Sequence, residues 1–331
     1  MKNYAPLVLG PAEACDAAQV IRDAIEDDAS ESARMEEMQS QERLSTAIEA
    51  ETATEQAGPA TSVEAMERSL PPVLAADGSP CAEIRCLGPI VVARSDGTVP
   101  GKGWRAPAKE LLAYLILHPD GAHKERLAEV LFRGMPTKKA LDLVARAASI
   151  VRTRVRTPGD ERKYVELEGE TWRLEPGAWR VDAWEMERLI LQEQPRSEEV
   201  SRLQSVVGLY RGEFCDDAYF AWAQPARERY RALFLRASGR LAERLYEDGR
   251  GEDALGILDR AIECEPLCED LYRRAMVIES SLGRRKEALD RYEGLKRLLE
   301  SELNTAPDPG TSQVARDIER AQPRAAAHSA S

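Results

Sequence analysis

A 34-residue repeat near the carboxyl end limits the folds open to this chain more than any other feature. The repeated residues are Gly249, Ala254, Leu255 and Leu258, followed 34 positions later by Gly283, Ala288, Leu289 and Tyr292. This period is that of a stacked helix–turn–helix unit of the tetratricopeptide type. The alanines permit close helix approach, and the glycine permits the turn between paired helices. The pattern predicts an all-helical repeat domain, which we place at residues 181–322.

The charge of the chain is unevenly distributed. The 331 residues are enough for two domains and a tail, and they carry a net charge of −12. Residues 1–82 have 5 basic and 16 acidic side chains, residues 83–180 have 18 and 13, and residues 181–331 have 23 and 29. A basic segment inside an acidic chain indicates a polyanionic partner for that segment.

The two ends have compositions typical of unstructured chain. Residues 1–82 are rich in Ala, Glu and Ser, which predicts an acidic, largely disordered leader and linker. A regulatory arm that shields the basic segment is the alternative, and the sequence does not decide between them. Residues 323–331 are expected to be a disordered tail.

Membrane spans, secretory signals and the cysteine pattern indicate where a protein is located in the cell. No apolar run approaches the roughly 18 to 20 residues that span a bilayer, and the apolar patch at Leu7–Leu9 is too brief for a secretory signal. The six cysteines are scattered and fit reduced thiols. We therefore expect a cytoplasmic protein with no membrane partner.

Residues 83–180 predict strands, then three helices, then a hairpin. Strands are expected around Ile84–Leu87 and Ile90–Val92, with a hairpin turn at Asp96-Gly97 before Val99. The helices are expected from Pro107 to the break at Pro119, from Lys124 to Phe132, and from Thr137, as N-cap, to Arg156. Alternation around Gly169 predicts a hairpin from Tyr164 to Leu174.

The third helix carries the functional prediction. At 100° per residue its apolar residues fall on one side: Leu141, Val144, Ala148, Val151 and Val155. The opposite side presents Lys139, Asp142, Arg146, Ser149, Ile150 and Thr153. A basic, hydroxyl-bearing helix about 30 Å long fits the major groove of DNA. A solvated surface helix without a partner is the alternative.

Ten residues are the predicted contacts to DNA. Seven belong to the third helix or its end: Lys138, Lys139, Arg146, Ser149, Arg152, Thr153 and Arg156. Three belong to the hairpin: Arg162, Lys163 and Arg173.

Several stretches resemble one family of bacterial regulators. Cys86–Val92, Lys109–Leu117, Arg126–Phe132 and Val181-Asp182 are similar to the DNA-binding half of the Streptomyces antibiotic regulatory protein (SARP) family. The remainder resembles that family's bacterial transcriptional activator domain, in Leu209–Phe214, Trp222 with Arg227, Gly283–Tyr292, and Glu302-Leu303 leading to Pro307 and Thr311. The resemblance covers about residues 84–322.

The resemblance implies a fold and partners. The fold class is mainly α with small β: a winged helix-turn-helix domain at residues 83–180, followed by the tetratricopeptide-like helical repeat domain. The implied partners are double-stranded promoter DNA, bound by dimers on direct repeats, and RNA polymerase. The repeats then offer a surface for protein contact and dimerisation, or they only pack the domain and support the DNA-binding half.

The chain departs from the family pattern at several positions. Ala147–Ile150 stands where the third helix usually carries more arginine, and Asp142 adds a carboxylate to its outer side. Phe132 and Thr171-Trp172 replace the usual Trp and Gly-Tyr. The hairpin also carries three carboxylates that oppose phosphate: Glu166, Glu168 and Glu170.

The sequence thus predicts a DNA-binding transcriptional activator. A protein-interaction adaptor that uses only the repeats is the alternative. We expect no enzyme, cofactor or metal site. Only three histidines are present, which disfavours a histidine metal site. No G-x-S-x-G nucleophile motif occurs, and Gly97–Gly103 lacks the spacing of a phosphate-binding loop.

Overall fold

The computed structural model describes residues 81–100, 104–192 and 195–321, all within one compact unit that spans residues 67–331. The predicted leader lies outside the described residues except for Cys81 and Ala82, and the predicted tail lies wholly outside them. The proposed domain boundaries stay predictions.

The described chain begins with a small three-stranded sheet. Strand β1 (Ala82–Arg85) pairs antiparallel with β2 (Val91–Ala93) and parallel with β6 (Trp179–Val181). The predicted turn at Asp96-Gly97 is present, with φ +82° at Gly97, but Val99 belongs to no strand, so the hairpin expected there was wrong. β1 also ends before Cys86, because the backbone of Cys86 turns towards residues much later in the chain.

Three helices follow, as expected. They are α1 (Ala106–Leu117), α2 (Lys124–Leu131) and α3 (Thr137–Val155). Pro107 lies in the first turn of α1, where its missing N–H costs nothing. The predicted cap of α3 was wrong by one residue, since Pro136 is the N-cap and Thr137 is already helical.

The hairpin forms the wing. Strands β4 (Val165–Glu168) and β5 (Thr171–Leu174) pair antiparallel around Gly169, and β3 (Ala122–His123) adds to β5. Gly121 enables this third strand, because its φ is +97° and a Cβ there would lie 2.6 Å from the Thr171 Cγ2 atom. The wing is therefore tied to the start of α2.

The carboxyl-terminal part is helical throughout. Its helices are α4 (Asp182–Leu191), α5 (Arg196–Leu209), α6 (Gln224–Glu247), α7 (Gly251–Cys264), α8 (Glu269–Ser281), α9 (Arg285–Leu303) and α10 (Pro309–Arg320). The 34-residue repeat corresponds to the pairs α6/α7 and α8/α9. Gly249 and Gly283 make equivalent left-handed turns, at φ +77° and +82°, and Ala254 and Ala288 are fully buried. The predicted fold class is confirmed.

The two parts of the fold meet along a continuous junction. The loop after β1 exchanges backbone hydrogen bonds with the segment after α5: the Arg211 N–H donates to the Leu87 carbonyl (2.9 Å) and the Cys215 N–H to the Cys86 carbonyl (2.8 Å). Gly88 fits this contact because a Cβ on it would lie 3.3 Å from the Arg211 Cβ atom. The two sequence stretches Cys86–Val92 and Leu209–Phe214 are thus partners in space.

Side chains reinforce the junction. The Trp184 indole N–H donates to the Ile116 carbonyl (2.8 Å), and the Trp222 indole N–H donates to Glu110 (2.9 Å). Lys109 forms an ion pair with Asp217 at 2.8 Å. These bonds fix α1, and with it the three-helix unit, against the helical domain.

Candidate nucleic-acid interface

The outer side of α3 is open to solvent. Its apolar side is buried through Ala140, Val144, Ala147, Ala148, Val151 and Val155, while Leu141 is only half-buried. Six of the seven predicted contact residues of α3 and its end are exposed: Lys138, Lys139, Arg146, Ser149, Thr153 and Arg156. The packing of α3 against α1 and α2 determines this orientation, because the buried stripe cannot turn outward without exposing the core.

The exposed cations of α3 lack carboxylate partners. Lys138, Lys139, Arg146 and Arg156 form no ion pair with any residue in the described part of the chain. Asp142 is also exposed on this side and is likewise without an ion pair there. Four cations and one carboxylate therefore give the surface a net positive charge that a polyanion can neutralise.

Arg152 has a different environment from the one predicted. It is half-buried, its Nε–H donates to the Val165 carbonyl (2.8 Å), and its guanidinium lies 5.2 Å from the centre of the Trp172 ring. A hydrogen bond and a cation–π contact both fix it against the wing. Arg152 therefore joins α3 to the wing in addition to any contact with a ligand.

The predicted cations of the wing are paired within the protein. Lys163 pairs with Glu166 at 3.3 Å and Arg173 with Glu168 at 3.0 Å. Arg173 is half-buried, and its Nε–H has no acceptor among the described residues. The wing carboxylates are thus offset directly by neighbouring cations, and fewer positive charges remain free for phosphate than the sequence suggested.

Two further ion pairs stiffen the region around the wing. Glu170 accepts from Lys124 (2.5 Å) and contacts His123 (3.1 Å), and these hydrogen bonds hold its pKa below the usual value. Arg162 does not face a wing carboxylate. Its Nε–H donates to Asp160 (2.9 Å), and although partial burial acts in the opposite direction, this bond and one from Tyr164 lower the pKa of Asp160.

Two depressions flank α3. The first, of about 420 Å³, is lined by Arg105, Arg146, Ser149, Ile150, Thr153 and Arg154. The second, of about 290 Å³, lies between α3 and the wing and is lined by Arg152, Arg156, Lys163, Val165, Glu166 and Leu167. The structure thus brings six of the ten predicted residues to these two depressions. Lys138, Lys139, Arg162 and Arg173 line neither one, whereas Arg105 and Arg154 were not predicted.

Comparisons with known proteins are consistent with this architecture. A family model for the bacterial transcriptional activator domain matches residues 181–319. Among solved structures, Mycobacterium tuberculosis EmbR in complex with a low affinity phosphopeptide is similar, with a TM-score of 0.56 and 18% sequence identity. The match covers 73% of this chain and 65% of that one, so the chain spans less than two thirds of that protein. The activator-domain match supports a transcriptional regulator that resembles the SARP family.

The likeness to EmbR at this identity shows the fold alone, so the resemblance to a transcriptional regulator rests on the activator-domain match. A search of curated proteins found no match. Within the described residues of this chain, no helix is long and apolar enough to cross a bilayer, and no group of His, Cys, Asp and Glu side chains is placed to hold a metal ion.

Proposed function

We propose that this chain is a SARP-type regulator that binds promoter DNA by placing α3 in the major groove. The observation that carries the proposal is the set of four exposed cations on α3 and at its C-cap, at Lys138, Lys139, Arg146 and Arg156, none of which pairs with a described carboxylate. Lys and Arg neutralise phosphates, and Arg reads the edge of guanine in the major groove. The wing lies beside the duplex and adds little charge, because its own carboxylates pair with Lys163 and Arg173.

Arg146 is the residue best placed to read a base. It lies near the centre of the exposed side of α3, and its side chain has no hydrogen-bond partner among the described residues. We expect Arg146→Ala to weaken specific binding by about 1–3 kcal/mol and to relax sequence preference at one position. The measurement is a titration of the intact chain with DNA selected from a genomic fragment pool, repeated over a range of salt concentrations.

The wild-type titration also tests the proposal as a whole. With about five phosphate contacts, log K should fall against log salt with a slope of about −4 to −5. Absence of binding to any promoter pool at low salt would defeat the proposal. Recovery of one stoichiometric protein partner in that situation would support the adaptor alternative.

The helical domain supplies the second half of the proposed activity. We expect it to contact RNA polymerase or a second protomer, since a transcriptional activator domain matches residues 181–319. In a purified transcription assay, adding the chain should raise the transcript yield from a promoter that carries its selected site. A yield equal to that of the polymerase alone would contradict the activator role, and native mass spectrometry of the complex reports the number of protomers bound.

A further inference from the structure

All the charged side chains that line the depression beside the start of α1 are basic. Its lining includes three arginines, Arg105, Arg146 and Arg154, together with the Ser149 and Thr153 hydroxyl groups, and it includes no carboxylate. Arg105 is the N-cap of α1, and its side chain makes no capping hydrogen bond. This end of α1 adds the positive pole of a 12-residue helix to the same place.

Two arginines bring uncompensated charge to this depression. Arg105 and Arg146 are exposed, and neither side chain forms an ion pair or hydrogen bond with any residue that the structure describes. Guanidinium groups collected around one depression repel each other unless an anion lies between them. Their planar, forked donors match phosphate oxygens, so a phosphate group is the anion that fits.

The position of the depression indicates which strand of the DNA duplex supplies the phosphate. A helix in a major groove about 12 Å wide has one sugar–phosphate strand on each side. At 100° per residue, Arg152 and Arg154 point about 160° apart, so they lie on opposite flanks of α3. The wing-side flank already carries Arg152 and Arg156, and the other flank carries Arg105 and Arg154. Arg146 lies between the two flanks, so we expect it to contact a base edge and not a phosphate.

We propose that Arg105 and Arg154 form a phosphate-binding site that holds the DNA strand on the side of α3 opposite the wing. The site rests on the proposed DNA-binding function and extends it to a residue outside the recognition helix. The Ser149 hydroxyl lines the same depression and can donate to a phosphate oxygen. The Thr153 hydroxyl donates its hydrogen to the Ser149 carbonyl (2.9 Å), so this hydrogen is not directed at the phosphate.

The test compares Arg105→Ala with Arg105→Lys and with a charge-matched control, Lys286→Ala on α9, in the intact chain. Arg105→Ala should weaken binding to specific and unrelated duplexes alike by about 5- to 10-fold, and should reduce the salt slope by about 1. Arg105→Lys should lose less, and Lys286→Ala should behave as wild type. The thermal midpoint of Arg105→Ala should stay unchanged, since the side chain caps nothing.

A second arm locates the phosphate. A single neutral methylphosphonate is moved along each strand of the selected duplex. At one position on the strand away from the wing, it should weaken wild type at least as much as Arg105→Ala does, and the combined loss should be smaller than the sum of the two. Losses that add at every position would overturn the proposal.

The remaining outcomes separate the possible sources of the phosphate. Inorganic phosphate alone should bind weakly. At phosphate concentrations below millimolar, wild type and Arg105→Ala should bind it equally. Arg105-dependent phosphate binding with an unchanged duplex salt slope would assign the site to a small molecule and overturn the DNA-strand proposal. Wild-type affinity of Arg105→Ala for duplexes would overturn this site alone, whereas failure of wild type to bind any duplex would remove the proposed function and this site together.

Discussion

Replacing Asp182 with Ala should lower the free energy of unfolding by about 3–5 kcal/mol. Asp182 is 6% exposed and is the first residue of α4, directly after β6. Its Oδ1 atom accepts from the Cys86 N–H (2.9 Å), and its Oδ2 atom accepts from the Leu87 N–H (3.2 Å) and from Arg211. The variant leaves these donors buried or half-buried without an acceptor, and that desolvation cost is larger than the net worth of the bonds themselves.

The position of Asp182 makes this loss specific to the junction. The two N–H groups belong to the loop after β1, and the guanidinium belongs to the segment after α5, so one carboxylate joins both parts of the fold. Asp182→Asn keeps the shape and one acceptor but turns an N–H₂ group towards donors, so a smaller loss of about 1–3 kcal/mol is expected. Glu293→Ala is the control, because Glu293 is exposed and its pair with Lys296 is 3.9 Å long; its effect should be near zero.

Denaturant unfolding measures the stability, and thiol labelling measures where the structure loosens. Burial, with Asp182 and Cys215 as further causes, raises the pKa of the Cys86 thiol, so Cys86 should react slowly in the wild-type protein. Cys86 should label faster in Asp182→Ala, as the loop after β1 leaves the helical domain. Unchanged labelling together with unchanged stability would mean that Asp182 does not hold the junction.

Local patterns in the sequence were enough to predict most of the helices and the wing. The stripe of α1 and the alternation around Gly169 involve residues within a few turns of one another, and the spacing from Gly249 to Gly283 is a fixed period of 34 residues. The fold class and the exposure of the α3 surface follow from such patterns, because burial of a periodic apolar face decides both.

What the sequence could not show involves residues far apart in the chain. Asp182 was singled out only as part of a family mark, since its bond to Cys86 joins positions 96 residues apart. Arg105 and Arg154 line one depression because α1 packs on α3, and a helical projection of α3 alone does not include Arg105. Arg152 lies at the edge of the apolar side in that projection, so its contact with Trp172 decides its environment.

Removing the four unpaired cations of α3 should have the largest effect on DNA binding. The variant is Lys138→Ala, Lys139→Ala, Arg146→Ala and Arg156→Ala in one chain. If Lys138, Lys139 and Arg156 each neutralise one phosphate and Arg146 reads a base, the salt slope should fall by about 3, and affinity near 0.15 M salt should fall by about a thousandfold. The fold should persist, because all four side chains are exposed and alanine favours a helix.

A matched variant separates the position of the charges from their number. Arg236, Lys286, Arg297 and Arg320 are exposed on the helical domain and line neither depression beside α3. Their replacement by alanine changes the net charge equally, and since counterion release requires cations next to phosphates, the slope and affinity should stay close to wild type. Equal losses in both variants would mean that DNA responds only to the overall charge of the chain. A loss confined to the α3 variant would require the duplex to lie against that helix, because both variants remove four exposed cations that form no ion pair among the described residues.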